Sequence, residues 1–331
     1  MEKKISLDCV PMDNFACGHY RIRNVAEALQ FDYDITISPF GKFHYHNQDY
    51  IFTQRAVGTK NIATLLNIKN QTNVKFIVDF DDILWEPLPK YNFTKIEWED
   101  IRESLKDLDK LADIITVTTD SLKESLSQYV PANKINVIPN MLPRWKWNYP
   151  RIATPTNDTI LYAGSPTHFS NDNHMYGDFT SEWDKFLKGK NITIMGIKPW
   201  FIETNVVYPW TDMLSYSHYF YNIASKCKFV IAPLAENFFN KCKSDLKYLE
   251  CCAVGRVCLC TDFEDSPYHY VHPLQKIPVK ATAKQIEYIM NQCNEHYNEI
   301  IQYQYDYINK RWLENNLDKY KNLIENPKVK I

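Results

Sequence analysis

Two hydrophobic periods alternate along the chain. Short runs dense in β-branched and aromatic residues, "KISLDCV", "YDITIS", "QDYIFTQ", "VKFIVDF", "DIITVTT" and "KINVIPN", are separated by stretches whose apolar positions recur every three to four residues. The latter are "RIRNVAEALQ", "NIATLLNI", "WEDIRESLKDLDKLA" and "SLKESLSQYV". Strand followed by helix, repeatedly, predicts a parallel sheet covered on both faces, because each crossover lays a helix on the sheet. The segment "PNMLPRWKWNYPRIATPTND" then carries four prolines and no apolar period, which reads as a linker. A second series follows in "TILYAG", "SEWDKFLKG", "NITIMG", "YFYNIASKC", "KFVIAPL" and "RVCLCTD". From Thr282 onward the chain has helical character.

The expectation is an α/β protein with two doubly wound, Rossmann-like domains over residues 1–145 and 146–280, and helices in 281–331 that pack back across both. A length of 331 residues suits two domains of about 150. Hydrophobic residues at 45% and charged residues at 24% supply a packed core and leave little room for a disordered tail.

Charge narrows the function. Residues 1–150 hold 18 basic and 20 acidic side chains and the remainder 20 of each, for a net charge of −2. A protein that lives on phosphate contacts shows a broad basic face, so this balance argues against a pure DNA-binding protein. No run of about 18 apolar residues is present, and "MEKKISLDCV" passes from charge straight into a strand-like run, which predicts a cytoplasmic protein without a transmembrane segment. Nine cysteines lacking C-x-x-C spacing read as reduced core thiols. His44 and His46 in "FHYH" would share a strand face, yet without a third ligand nearby no metal site is expected.

The segment "PLAENFFNKCKSDLKYLECCAVGRVCLCTD" concentrates the candidate chemistry. "KFVIAPL" is a buried strand, "AENFFN" the loop leaving it, and a helix is expected to begin near Asn240 to Lys243 and to end at Gly255. On that helix Lys243, Lys247 and Glu250 would form one stripe at i, i+4 and i+7, while Leu246, Leu249 and Ala253 form the other. Lysines beside a helix N-terminus suit a diphosphate, with Ser244 and the helix N–H groups adding donors and Glu250 accepting from ribose hydroxyls. The commoner use of such a stripe is a solvated charged face.

This run resembles the donor-binding segment of the GT-B glycosyltransferases, in particular the retaining nucleotide-sugar family found also in phages and bacterial surface-glycan clusters. Pro233, Leu234, Phe239, Asn240, Lys243, Ser244, Lys247, Glu250 and Gly255 match its P-L-x-x-x-x-F-N-x-x-K-S-x-x-K-x-x-E-x-x-x-x-G pattern. The resemblance implies two Rossmann-like domains facing each other across a cleft, a UDP-sugar donor, no tightly bound cofactor, and transfer of a hexosyl or pentosyl unit with retention. The family's first motif glutamate is replaced by Cys242, and Glu236 lies too far upstream to stand in for it.

Other segments agree with that resemblance. "ILYAGSPTHFSND" is similar to the first strand and loop of the donor domain, where Gly164 would let backbone approach the ligand and His168 and Asp172 would face it. "CVPMDNFACGHYRIR" places Gly18 and Arg21 at a glycine-containing turn as phosphate-facing candidates. "FIVDFDDILWEP" ends a strand with Asp79, Asp81 and Asp82; Asp81 and Asp82 are candidate catalytic carboxylates with His168, although an Asx-rich turn would use the same residues. A divalent cation at these carboxylates is left open. Trp85, Tyr91, Phe93 and Trp98 are assigned no role.

The acceptor is expected to be a hydroxyl group, with a lean toward a hydroxymethylated pyrimidine in phage DNA. Surface glycan, lipid-linked sugar and a non-catalytic sugar-nucleotide binder are the alternatives.

Overall fold

A computed structural model describes residues 4–39, 41–86, 95–150, 155, 157–172 and 174–326. The chain divides into two compact units. Unit 1 comprises Met1–Pro143, Cys242–Ser244 and Leu313–Ile331, and unit 2 comprises Arg144–Lys241 and Asp245–Trp312.

Unit 1 is built on six parallel strands: β1 (Ser6–Val10), β2 (Asp34–Ile37), β3 (Tyr50–Gln54), β4 (Lys75–Phe80), β5 (Ile114–Val117) and β6 (Ile135–Val137), in the order β2-β1-β3-β4-β5-β6. Every residue of β1 and β3 is buried, as the apolar runs require of strands covered on both faces. The edge strand β2 is partly exposed and opens with Asp34, a charge that discourages pairing with another chain. Leu7, Phe52, Ile77 and Ile114 of the sheet pack with Val25 and Leu29 of helix Asn24–Leu29, and with Tyr320, Leu323 and Ile324 of the last helix, Leu317–Glu325.

Unit 2 repeats the plan with β7 (Ile160–Gly164), β8 (Ile192–Gly196), β9 (Val207–Tyr208), β10 (Phe229–Ala232), β11 (Val257–Asp262) and β12 (Lys276–Pro278), ordered β12-β11-β10-β7-β8-β9 and parallel throughout. Ile194, Phe229, Ile231 and Leu259 meet Trp183, Phe186, Ile286 and Ile300 of the covering helices. Helix Ala283–Glu295 starts with a capping box in which Thr282 and Gln285 exchange side-chain and backbone hydrogen bonds. The tail foreseen as helical thus contributes helices Ala283–Glu295 and Tyr297–Asn309 to unit 2, and Leu317–Glu325 to unit 1.

Within the proline-rich segment, the described residues are more ordered than a linker. Arg144–Trp147 forms a helical turn, and Trp147 is buried with its ring 6.0 Å from those of Tyr216 and Phe220. The unit boundary falls between Pro143 and Arg144.

Parallel sheets of this order reverse direction once, and loops leaving the two strands beside that reversal diverge to open a crevice. In unit 1 the reversal lies between β1 and β3; in unit 2 it lies between β7 and β10.

Candidate active site

In unit 2, Gly164 ends β7 and "PLAENFFN" leaves β10, so the segments singled out in the sequence sit at the strand reversal. The following helix differs from expectation. Residues Phe238–Lys241 make one short turn, the chain breaks, and the regular helix runs Leu246–Val254. Lys243 and Ser244 therefore lie in the break, not on a helical stripe. Asp245 precedes the helix but does not cap it, because its carboxylate is held by Arg311 at 3.0 and 3.1 Å and by the Tyr307 hydroxyl at 2.6 Å. Gly255 ends the helix, as expected, and does so with φ 65° and ψ 49°, a left-handed conformation that glycine adopts without strain.

Lys247 and Glu250 form the centre of this site. Lys247 Nζ is 2.6 Å from Glu250 Oε2, with the side chains 22% and 3% exposed. The Tyr216 hydroxyl donates to the same carboxylate oxygen at 3.2 Å and lies 3.3 Å from Lys247 Nζ, which also rests 5.3 Å from the Phe220 ring centroid. Burial alone would favour neutral Lys247, but Glu250 overrides it and holds the ammonium above its ordinary pKa. Burial, then the Glu250 charge, pushes the Tyr216 phenol up, so it stays a donor. Beside it stands Trp210, 40% exposed, its ring 6.1 Å from that of Tyr216. Gly196 at the end of β8 makes room for that indole: a Cβ there would come within 2.6 Å of it.

Gly164 makes room within its own strand. A Cβ on it would fall 2.0 Å from the Tyr162 hydroxyl, so the missing side chain accommodates the tyrosine two residues earlier on the same strand face. That hydroxyl and Asn240 Oδ1 are buried and have no hydrogen-bond partner among the described residues. Asn240 Nδ2 donates to Asp178 Oδ1 at 2.8 Å and to the Ala235 carbonyl at 2.7 Å, while Asp178 Oδ2 meets His168 Nδ1 at 2.7 Å. Asp172 is exposed on the intervening loop.

Unit 1 holds two carboxylate clusters at the ends of β3 and β4. Arg55, which follows β3 with a left-handed φ of 51°, pairs through Nε with Asp81 Oδ1 at 2.6 Å and through Nη2 with Asp81 Oδ2 at 2.8 Å. The same Nη2 lies 3.5 Å from Asp82 and 3.2 Å from Cys17 Sγ. Burial would raise the Asp81 carboxyl, but Arg55 holds it below the usual carboxylate range. Burial, and then Asp81, pushes the Cys17 thiol up, which disfavours a thiolate. Lys243 Nζ is 4.0 Å from Asp82, and the Ser244 hydroxyl accepts from Asn140 Nδ2 at 2.7 Å.

The second cluster removes Arg21 from the phosphate-facing candidates. Its guanidinium is buried and grips Asp79 from Nε and from Nη2, the latter at 2.7 Å, while Nη1 donates to the Ile138 carbonyl at 2.8 Å. Thr116 donates to Asp79 at 2.6 Å. These bonds tie the helical turn His19–Arg23 to β4, β5 and the end of β6. Gly18 likewise serves the fold: a Cβ would sit 2.1 Å from the Asp13 carbonyl oxygen.

His44 and His46 lie in a loop rather than a strand; His44 Nδ1 is 2.6 Å from the Ser38 hydroxyl. Among the described residues no group of three or more metal-binding side chains converges. Trp85 is core, donating to Ser125 at 2.9 Å, and Trp98 stacks on Arg102, whose guanidinium carbon is 4.0 Å from its ring; Tyr91 and Phe93 lie outside the described residues. Among the described residues no helix is long and apolar enough to cross a membrane. Arg55, Tyr162, Asp178, Trp210 and Tyr216 escaped the sequence reading. A cation closing the run "QDYIFTQR" was the one available signal, for Arg55.

No protein-family model matches the sequence, and no curated protein matches it either. Solved structures do. A glycosyltransferase from Rickettsia africae ESF-5 aligns over 98% of this chain and 100% of its own, with TM-score 0.64 and 14% identity. TarM aligns over 83% of this chain and 54% of its own, with TM-score 0.56 and 12% identity, so the chain spans about half of TarM's length. A UDP-N-acetylglucosamine 2-epimerase covers 99% of both chains, with TM-score 0.54 and 10% identity. Two parallel six-stranded sheets flanked by helices, shared over the whole chain with such proteins, make this an α/β protein with the GT-B glycosyltransferase-like fold.

Proposed function

We propose that this protein transfers a glycosyl unit from a UDP-linked sugar to a hydroxyl group of a saccharide acceptor. The observation that carries the reading is the cluster in which Lys247 and Glu250, on the first turns of helix Leu246–Val254, meet Tyr216 of helix Tyr216–Ala224, beside the strand reversal of unit 2. An ammonium at a helix N-terminus matches a diphosphate, and a buried carboxylate one turn deeper matches vicinal ribose hydroxyls. A TarM structure containing UDP and α-GlcNAc-glycerol supports the choice of donor and acceptor classes by analogy of fold.

In the proposed reaction the bond from the anomeric carbon to the diphosphate breaks and its electron pair stays on the diphosphate oxygen. The acceptor oxygen bonds to the anomeric carbon, and its proton passes to the departing diphosphate. Negative charge grows on the diphosphate, which is where the fixed cation Lys247 stabilises the transition state. Retention of configuration comes with the sequence resemblance. Unit 2 is read as the nucleotide-sugar side and unit 1 as the acceptor side, with Asp82, Lys243 and Ser244 as its polar candidates. Asp81, clamped by Arg55, is read as a positioning carboxylate rather than a base. No requirement for a divalent cation is built into this reading.

The lean toward hydroxymethylated DNA draws no support from the structural neighbours. A second reading has a specific observation behind it: the 2-epimerase shares the fold over the full chain, so epimerisation of a UDP-sugar is an alternative use of the same donor site. One assay separates them. A panel of UDP-sugars is incubated with glycan, lipid-linked saccharide and hydroxymethylated DNA, and with no acceptor. Transfer reads as labelled acceptor; epimerisation reads as a new UDP-sugar without acceptor; binding of UDP with neither product leaves the non-catalytic binder.

A further inference from the structure

The loop after β7 returns on itself so that residue 178 grips residue 168 twice. The Asp178 backbone N–H donates to the His168 carbonyl at 2.7 Å, and its carboxylate meets His168 Nδ1 at 2.7 Å. Gly177 makes the return possible. Its φ is +65°, and a Cβ would come within 2.2 Å of the His168 carbonyl oxygen, so no other residue fits without strain.

The carboxylate is anchored as well. Asp178 Oδ1 accepts from the Ala235 N–H at 3.2 Å and from Asn240 Nδ2 at 2.8 Å, both on the loop that leaves β10. Its side chain is fully buried, whereas that of His168 is 25% exposed. A buried carboxylate bonded to one imidazole nitrogen fixes the ring's orientation and tautomer, and it stabilises the protonated ring. These contacts hold the dyad against the segment that leaves β10, at the strand reversal between β7 and β10 from which the chain runs on to the helix carrying Lys247.

We propose that Asp178 is a positioning residue that holds His168 as a hydrogen-bond donor to the leaving diphosphate. This rests on the reading of unit 2 as the nucleotide-sugar side. His168 donates to the oxygen that takes the electron pair, no proton changes owner at the ring, and Asp178 stays ionised throughout. Asn240, on this view, keeps the carboxylate in place rather than touching the phosphate.

The test uses the full chain with the donor and acceptor found active in the panel above. Asp178→Asn keeps the shape but removes the charge; the expected result is a fall in kcat of about 10²–10³-fold with KM within about threefold, and an alkaline limb of the pH profile moved to lower pH. His168→Gln should fall by a similar factor, and the double variant by no more than either single one, since the two act as a unit. Full multiplicativity of the two losses, or an unchanged pH profile, overturns the proposal. Should Asp178→Asn fail to fold, ¹⁵N-histidine NMR of the unmodified protein decides: both ring nitrogens protonated at the pH of turnover, with the resonances assigned by His168→Gln, supports a donor to the diphosphate, and a neutral ring in either tautomer sinks it. A protein that turns over no donor defeats the functional reading, while the NMR measurement still judges the dyad separately.

Discussion

Glu250 accepts hydrogen bonds from both Lys247 and Tyr216 while being almost wholly removed from solvent. A carboxylate so placed is costly to leave unpaired, and the pair it forms with Lys247 is already assembled before any ligand arrives. Glu250→Gln should therefore cost about 3 kcal/mol of stability by stranding a buried ammonium. It should also weaken UDP binding, since a ribose hydroxyl loses a charged acceptor. Chemical denaturation and calorimetric titration read the two effects separately.

The Tyr162 hydroxyl, buried without a partner among the described residues, makes an unusual forecast. Removing an unsatisfied donor relieves a desolvation penalty, so Tyr162→Phe should leave stability unchanged or raise it by about 1 kcal/mol. Gly164→Ala should do the reverse, because the new methyl collides with the same ring; a loss of about 1–3 kcal/mol is expected, recovered in the Gly164→Ala/Tyr162→Leu double variant. Thermal denaturation of these proteins, with Tyr162→Leu added as the second single variant of the cycle, checks both expectations.

These two residues also mark where sequence stops speaking. The parallel sheets, the strand before Pro233 and the helix stop at Gly255 were legible because periodicity and glycine chemistry are local. Glycine's reason for being at 164 was not, since it depends on where Tyr162 points. Asp178 meets His168 only because Gly177 turns the loop back, and no spacing pattern announces such a return. Arg21 looked like a phosphate ligand and is instead core, a distinction set by Asp79 on a strand far along the chain. The break that takes Lys243 off the helix is likewise invisible in a pattern of matching residues.

Arg55 and Asp81 give a pH signature. The folded carboxyl lies below its ordinary value of 3.8, so the pair's contribution is present above about pH 4 and is lost as pH falls through the lower folded value. Arg55→Met should cost about 3 kcal/mol at pH 7, and the difference from the unmodified protein should shrink at about pH 3 and below. Urea denaturation at the two pH values checks it.

Gly18 tests the division of labour between units. Gly18→Ala forces a methyl against the Asp13 carbonyl and should lower the melting temperature, yet at a temperature where the variant is folded its affinity for UDP should match the unmodified protein. A selective loss of UDP affinity would return the glycine to the donor site.

The account stands most directly on calorimetric titration of UDP into the full chain and into Lys247→Met, a variant that keeps the aliphatic stem. Binding by the unmodified protein, weakened at least about tenfold in the variant while Arg21→Lys binds as before wherever it folds, is the result expected for a cation aimed at a diphosphate. Equal affinity in Lys247→Met, or no uptake of UDP by the unmodified protein, would contradict it.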